Sequence, residues 1–390
     1  MEQCFSNAAM GNRTAPSSIR LNFLDLFRGF SIFIMIDAHT FNVLFHPFAS
    51  ASPIYQYHRL LFNSAGPGFL FAAGVSFGLA AFADWSGYRT WSGRLRRRLM
   101  RLMVIFILGY SLHLPYYSLR RTLSEGTIDQ FHTLFGMDIL QCIATSGFLL
   151  LALVWVLPNS QWFPRVCVFV TVVIAVTSPL VWTVSQQLPW WWGTQLSKHW
   201  GSVFPLFPYA GFQFAGASWG YLYASMRQKE MERSFLEKSR RFGLWLILGS
   251  LAAMFLPLPE IYSDFWNASP LFFFLRVGLL TLVLTGFRLA ESRLLPSLTF
   301  LLLLGRESLL VYVAHLAILY GSPINPYTSL SKFLGNERTL PEVVFVFQLL
   351  TGAMTILSWL WLRLKKEDAW IVSSLRWSLA GLLILVFVVR

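Results

Sequence analysis

Four ionisable side chains fall inside the first long apolar run of the chain, in Leu24-Asp25-Leu26-Phe27-Arg28-Gly29 and then Ile36-Asp37-Ala38-His39. Each would cost at least about 2.5 kcal/mol at the centre of a bilayer, so such residues persist where they pair or line a cavity. Spacing sorts them. Arg28 and His39 are eleven residues apart, about 1100° of helical rotation and so close to three whole turns; Asp25 to His39 is about 1400°, close to four. Asp25, Arg28 and His39 therefore share one stripe, while Asp37 faces elsewhere. The rise from Arg28 to His39 is about 16 Å. An imidazole at that depth suits proton transfer near neutral pH.

A second constellation lies towards the other end, in Leu304-Gly305-Arg306-Glu307-Ser308-Leu309 followed by Tyr312 and His315. Ser308 and His315 share a helical face, with Tyr312 beside them. On a straight helix beginning at 299, His315 lies about 24 Å from the boundary, as His39 does on a helix beginning at 23, so the two histidines are expected at one depth. The plainer alternative is a buried neutral imidazole bonded to a neighbouring helix. A third feature is the basic run Arg94-Leu95-Arg96-Arg97-Arg98, continued by Arg101. Guanidinium forks pair bidentately with phosphate, although such a run also serves as a topology signal.

The elements that must position these residues follow from composition. The chain has 390 residues, 55% hydrophobic and only 13% charged, against about 45–50% and about 25% in soluble domains. A water-soluble globule is excluded. Apolar stretches long enough to cross a bilayer recur throughout, and predict an all-α polytopic membrane bundle of about eleven spans, at 23–45, 66–84, 99–117, 138–157, 166–187, 204–226, 242–258, 270–290, 299–321, 341–364 and 370–389. Residues 1–22 read as a cytoplasmic N-terminal tail and 23–390 as one transmembrane domain. With the N-terminus inside, and with Arg288 and Arg363 at their span ends counted with the adjoining inner connections, nineteen Lys and Arg fall on inner connections and seven on outer ones, leaving Arg28, Arg101, Arg276, Arg306 and Arg376 within spans. That bias follows the positive-inside rule, so the net charge of +13 reports topology and a lipid-bilayer partner, not nucleic acid. Gly216 and Gly220 predict close helix packing. Cys142 and Cys167 fall in apolar segments and Cys4 in the tail, so no disulfide is expected.

The ordered set Arg20…Leu24-Asp25-Leu26-Phe27-Arg28-Gly29…Met35…His39, Gly74-Val75-Ser76, Arg94 to Arg101, Asp138-Ile139-Leu140-Gln141, Phe204-Pro205-Leu206-Phe207-Pro208 and Gly305-Arg306-Glu307-Ser308-Leu309 with Tyr312 and His315 resembles bacterial membrane acyltransferases related to heparan-α-glucosaminide N-acetyltransferase. Arg28 and His39 also match the Arg-x10-His signature of the wider acyltransferase-3 group. The resemblance covers roughly residues 20 to 320. It implies transfer of an acyl group, acetyl by analogy, from acyl-CoA on the inner side to a sugar or glycan acceptor on the outer side. It further implies a bacterial cytoplasmic (inner) membrane and no metal, and it leaves room for a homodimer.

His39 is then the general base, with His315 as its companion and Glu307 or Asp37 to orient the imidazole. Ser308, Tyr312 or Asn63 would donate to the developing oxyanion. Arg28, Arg94, Arg96, Arg97, Arg98 and Arg101 would hold the coenzyme A phosphates. In the lysosomal enzyme of this group the histidine assigned to catalysis lies in the loop after the first helix, where this chain has His46 and His58; these stay open as base or as acceptor contacts. A covalent acyl-histidine and direct transfer also stay open. The rival reading is a transporter or flippase, since intramembrane Asp, Arg and His also mark proton and substrate paths.

Overall fold

The computed structural model describes residues 21–45, 53–257, 259, 262, 266–321 and 329–389. Twelve main helices run through it: α1 (Asn22–Leu44), α2 (Pro53–Ala83), α3 (Gly93–Ser111), α4 (Ile139–Val156), α5 (Phe163–Ser185), α6 (Leu206–Gln228), α7 (Glu232–Ala253), α8 (Pro270–Leu289), α9 (Thr299–Arg306), α10 (Ser308–Tyr320), α11 (Leu340–Glu367) and α12 (Ala369–Val389). Among the described residues each expected span is built mainly of helix. Among the described residues five helices are long and apolar enough to cross a membrane alone, and α9 with α10 would make a sixth as a bent pair. The chain is a multi-pass helical membrane protein.

Its core is apolar like that of a soluble bundle, but its surface is apolar too. Val168, Phe169, Val172 and Val176 on α5 and Phe345, Leu349, Ile356 and Trp359 on α11 are exposed, whereas Asp25, Gln141, Gln213, Arg276 and His315 are buried. Lipid tails solvate the first set; the second must find partners inside, because the bilayer core supplies none. Arg276, fully buried, donates from Nη1 to the Asn63 carbonyl at 3.1 Å and stands over the Phe272 ring at 4.0 Å. Cys142 and Cys167 are buried and free.

Two glycine seams fix the interior. Along α2 and α6, a Cβ on Gly74 would lie 2.0 Å from the Gln213 carbonyl oxygen, and one on Gly216 would lie 2.1 Å from that of Phe71. Gly220 meets Val75 in the same way, so the Gly216/Gly220 pair serves close packing as its spacing predicts. Along α1 and α9, a Cβ on Gly29 would sit 1.8 Å from the Leu301 oxygen and one on Gly305 would sit 1.8 Å from the Asp25 oxygen.

That second seam corrects one expectation. As α9 advances from 301 to 305 its partners on α1 retreat from 29 to 25, so α9 runs antiparallel to α1. The chain then bends by 89° into α10. The ninth span is therefore not a straight helix rising from 299. The break falls at Glu307, whose backbone leaves the helical region (φ −116°, ψ 33°) and whose carboxylate receives Lys365 Nζ at 2.6 and 2.5 Å. The apolar runs on either side of Arg306 and Glu307 together have the length of one span, which hides the bend from the sequence.

Candidate functional site

A cavity of about 590 Å³ opens where α1, α3, α4, α10 and the end of α12 meet. Its apolar wall includes Met35, Leu108, Leu112, Ile139, Phe204 and Phe387, and its polar groups are His39, Ser111, His113, Tyr117, Asp138, Tyr312 and Tyr320. Small-molecule sites have this character, largely apolar with a few convergent polar groups.

Each polar group arrives by a separate local rule. Met35 and His39 are four residues apart and so project from one face of α1, while Tyr312, Leu316 and Tyr320 repeat at the same interval along α10. Asp138 precedes α4 at the position where a carboxylate ordinarily caps the helix, yet it caps nothing; it accepts the Tyr312 hydroxyl at 3.1 Å. Its neighbour Met137 is held by Ser202 Oγ on its amide at 2.8 Å and by the Val203 and Phe204 amides on its carbonyl. The connection out of α3 passes through Tyr116 and Tyr117 at φ 55° and 47°. L residues seldom adopt that backbone, and it is common where a site needs a side chain re-aimed.

His39 Nδ1 lies 3.0 Å from the Tyr320 hydroxyl, and the His39 and His315 rings stand 5.4 Å apart. The two histidines, expected at one depth, lie side by side, although by a bent route. His315 is fully buried; its Nδ1 donates to the Val311 carbonyl at 2.8 Å and its Nε2 has no hydrogen-bond partner among the described residues. Carbonyl oxygens only accept, so Nδ1 carries the hydrogen.

The other expected site residues disperse. Glu307 and Ser308 lie at the far end of α10, about 10–12 Å of helix from His315, and neither lines the cavity. With its carboxylate on Lys365, Glu307 is not placed to orient an imidazole there. Asp37 is half-buried and within electrostatic reach of His58. His58 stacks on the Phe41 and Phe62 rings at 5.8 and 5.5 Å, away from the cavity. Asn63 gives its carbonyl to Arg276. His46 lies outside the described residues.

The arginines gather at the opposite end of α1. Arg28 donates to Asp25 at 3.4 Å and to Ser76, and Arg306 Nη2 donates to Asn22 at 3.3 Å. On α3, Arg94 pairs with Asp84 at 3.0 Å, Arg96, Arg97 and Arg101 are exposed, and Arg98 lies over the Phe77 ring at 4.9 Å with Arg28 and Arg101 as electrostatic neighbours. The Nε atoms of Arg98 and Arg306 are buried and lack hydrogen-bond partners among the described residues, although Arg306 Nε stands 4.0 Å from the Asp25 carboxylate. An incoming anionic oxygen would satisfy such donors.

Sequence reasoning missed Tyr320, His113 and the use of Asp138. His113 donates from Nδ1 to the Gly109 carbonyl at 3.0 Å and turns Nε2 towards Asp138 Oδ2 at 3.7 Å. Asp138-Ile139-Leu140-Gln141 was legible as a motif, but nothing in spacing links it to α3 or α10. No curated protein matches the chain. A family model described as heparan-alpha-glucosaminide N-acetyltransferase, catalytic, matches residues 20–258, a range that includes His39, His113, Asp138, Arg28 and the α3 arginines, and ends before α8 and Arg306.

Proposed function

The chain belongs to the heparan-alpha-glucosaminide N-acetyltransferase catalytic family, and from that premise we propose that it moves an acyl group from cytoplasmic acyl-CoA to a sugar acceptor reached from the outer side. The observation that carries this reading is one helix with two ends. Arg28, near the start of α1, stands among arginines with unsatisfied buried donors, and His39, about 16 Å further along, lines the cavity. Coenzyme A has the same layout, with phosphates at one end and a thioester at the end of a long arm.

In this reading Arg28, Arg98, Arg101 and Arg306 hold the phosphates. His39 takes the acceptor's proton on Nε2, while Nδ1 carries its hydrogen to the Tyr320 oxygen. That tautomer leaves Nε2 a lone pair for the incoming hydroxyl or amine. Purified protein mixed with acetyl-CoA and D-glucosamine should release coenzyme A thiol and acylated sugar together; thiol release that no acceptor stimulates, or none at all, would sink the proposal.

Two expected results test its parts. Arg98→Gln and Arg101→Gln should each weaken acetyl-CoA binding by roughly tenfold to a hundredfold, since a hydrogen bond to a charged group is worth about 1.5–3 kcal/mol. Calorimetric titration of detergent-purified variants gives the answer, and unchanged affinity would reduce the cluster to a topology signal. For orientation, a reporter fused after Arg241 should be active only in the cytoplasm, and one placed within 259–267, a connection without Lys or Arg, should report the outside. The reverse pattern would invert the direction of transfer.

A further inference from the structure

Acyl transfer from a thioester has two proton events. The nucleophile loses a proton as its bond to the carbonyl carbon forms, and the departing sulfur needs one as the carbon–sulfur bond breaks. The proposed role of His39 covers the first.

We infer that His113, held by Asp138, is the acid for the second. This rests on the acyl-transfer reading and adds a catalytic residue to it. His113 Nδ1 is fixed as a donor by the Gly109 carbonyl at 3.0 Å, within its own helical turn. Its only exchangeable position is therefore Nε2, which faces Asp138 Oδ2 at 3.7 Å on the cavity wall. An imidazole carrying both hydrogens forms an ion pair with that carboxylate. Asp138 is itself held by the Tyr312 hydroxyl at 3.1 Å and stands at the amino end of α4, where the helix dipole favours negative charge. His39 and His113 line the same cavity without sharing a hydrogen bond, so one ring can be neutral while the other is charged.

The step balances. The acceptor's nucleophilic atom bonds to the carbonyl carbon and its proton passes to His39 Nε2. The carbon–sulfur electron pair leaves on sulfur, and the His113 Nε2 proton goes to it, giving free thiol. His113 is left neutral and His39 charged, and exchange with solvent restores both. Asp138 touches no reacting atom; it is a positioning residue.

A group that must be protonated to act gives kcat/KM an alkaline limb. The titratable groups facing His113 are Asp138 and, across the cavity, His39, Tyr117, Tyr312 and Tyr320. Tyrosines ordinarily titrate near 10, so a limb below about pH 9 belongs to a histidine acid. The experiment is the pH profile of thiol release by purified protein with acetyl-CoA and D-glucosamine. Wild type should show an alkaline limb below pH 9. His113→Gln should lose that limb and at least tenfold in kcat, with a smaller change in KM for acetyl-CoA. Asp138→Asn should lower kcat, and Asp138→Glu should recover most of it. A wild-type profile flat to pH 9, or His113→Gln within twofold of wild-type kcat, overturns the assignment while leaving His39 and the acyl-transfer reading standing. Should His113→Gln not fold, the wild-type profile and the Asp138 pair still decide. Absence of any transfer or thiol release by wild type overturns both.

Discussion

His39→Ala, purified and correctly inserted, is expected to bind acetyl-CoA as wild type does and to lose acyl transfer by about 10²–10⁴-fold, the usual contribution of a general base. The separation of effects is the point. In the proposed reading the phosphates are held around Arg28, about 16 Å along the helix, so deleting the imidazole would remove a proton acceptor without disturbing the donor's charged end. His39→Asn should fail equally, because an amide keeps a hydrogen bond but takes no proton near neutral pH. His315→Gln should cost less: its Nδ1 serves its own helical turn and its Nε2 is sealed from the cavity. The decisive measurement is kcat at saturating acetyl-CoA and D-glucosamine, with His46→Ala and His58→Ala beside them. If His39→Ala keeps most of its activity while the His46 or the His58 variant is dead, the base belongs to that residue; the structure places His58 on α2 and not in a loop.

What the sequence revealed and what it hid divide along a physical line. Periodicity along a single helix is readable, so the Asp25, Arg28 and His39 stripe and the glycine pair on α6 could be placed from spacing alone. Arg94, Arg98 and Arg101 share a face by the same rule, and the chain uses that face for Asp84, Phe77 and the neighbourhood of Arg28. Contacts between helices are not readable. Asp138 in sequence is a helix cap, His113 a polar residue at the end of a span, and Tyr320 a member of an interfacial belt; only the packing of α3, α4 and α10 makes them neighbours. Glu307 and Ser308 misled for the converse reason. Sequence proximity to His315 suggested one site, but helical rise carries them to the other end of α10, where Glu307 anchors the bend through Lys365.

The bend depends on α9 lying flush against α1, and the glycines of that seam carry the largest structural effect expected of any single substitution. A methyl group on Gly305 would meet the Asp25 carbonyl oxygen at 1.8 Å, and one on Gly29 would meet that of Leu301 at the same distance. Both obstacles are backbone atoms, which no rotamer change can move. The helices must separate, with a cost at or above the upper end of the about 1–3 kcal/mol typical of overpacking. Separation would also free Arg306 from Asn22 and re-aim α10, which brings Tyr312, His315 and Tyr320 to His39. Gly305→Ala and Gly29→Ala should therefore lower Tm by several degrees and abolish transfer together. Gly249→Ala and Gly352→Ala provide the contrast, since a Cβ at either position meets nothing within 4 Å. There the gain in helix propensity, about 1 kcal/mol in soluble helices, should hold or raise Tm. A Gly305→Ala protein as stable as Gly249→Ala would mean that α9 does not lie on α1 at this distance, and the route by which α10 reaches His39 would have to be redrawn.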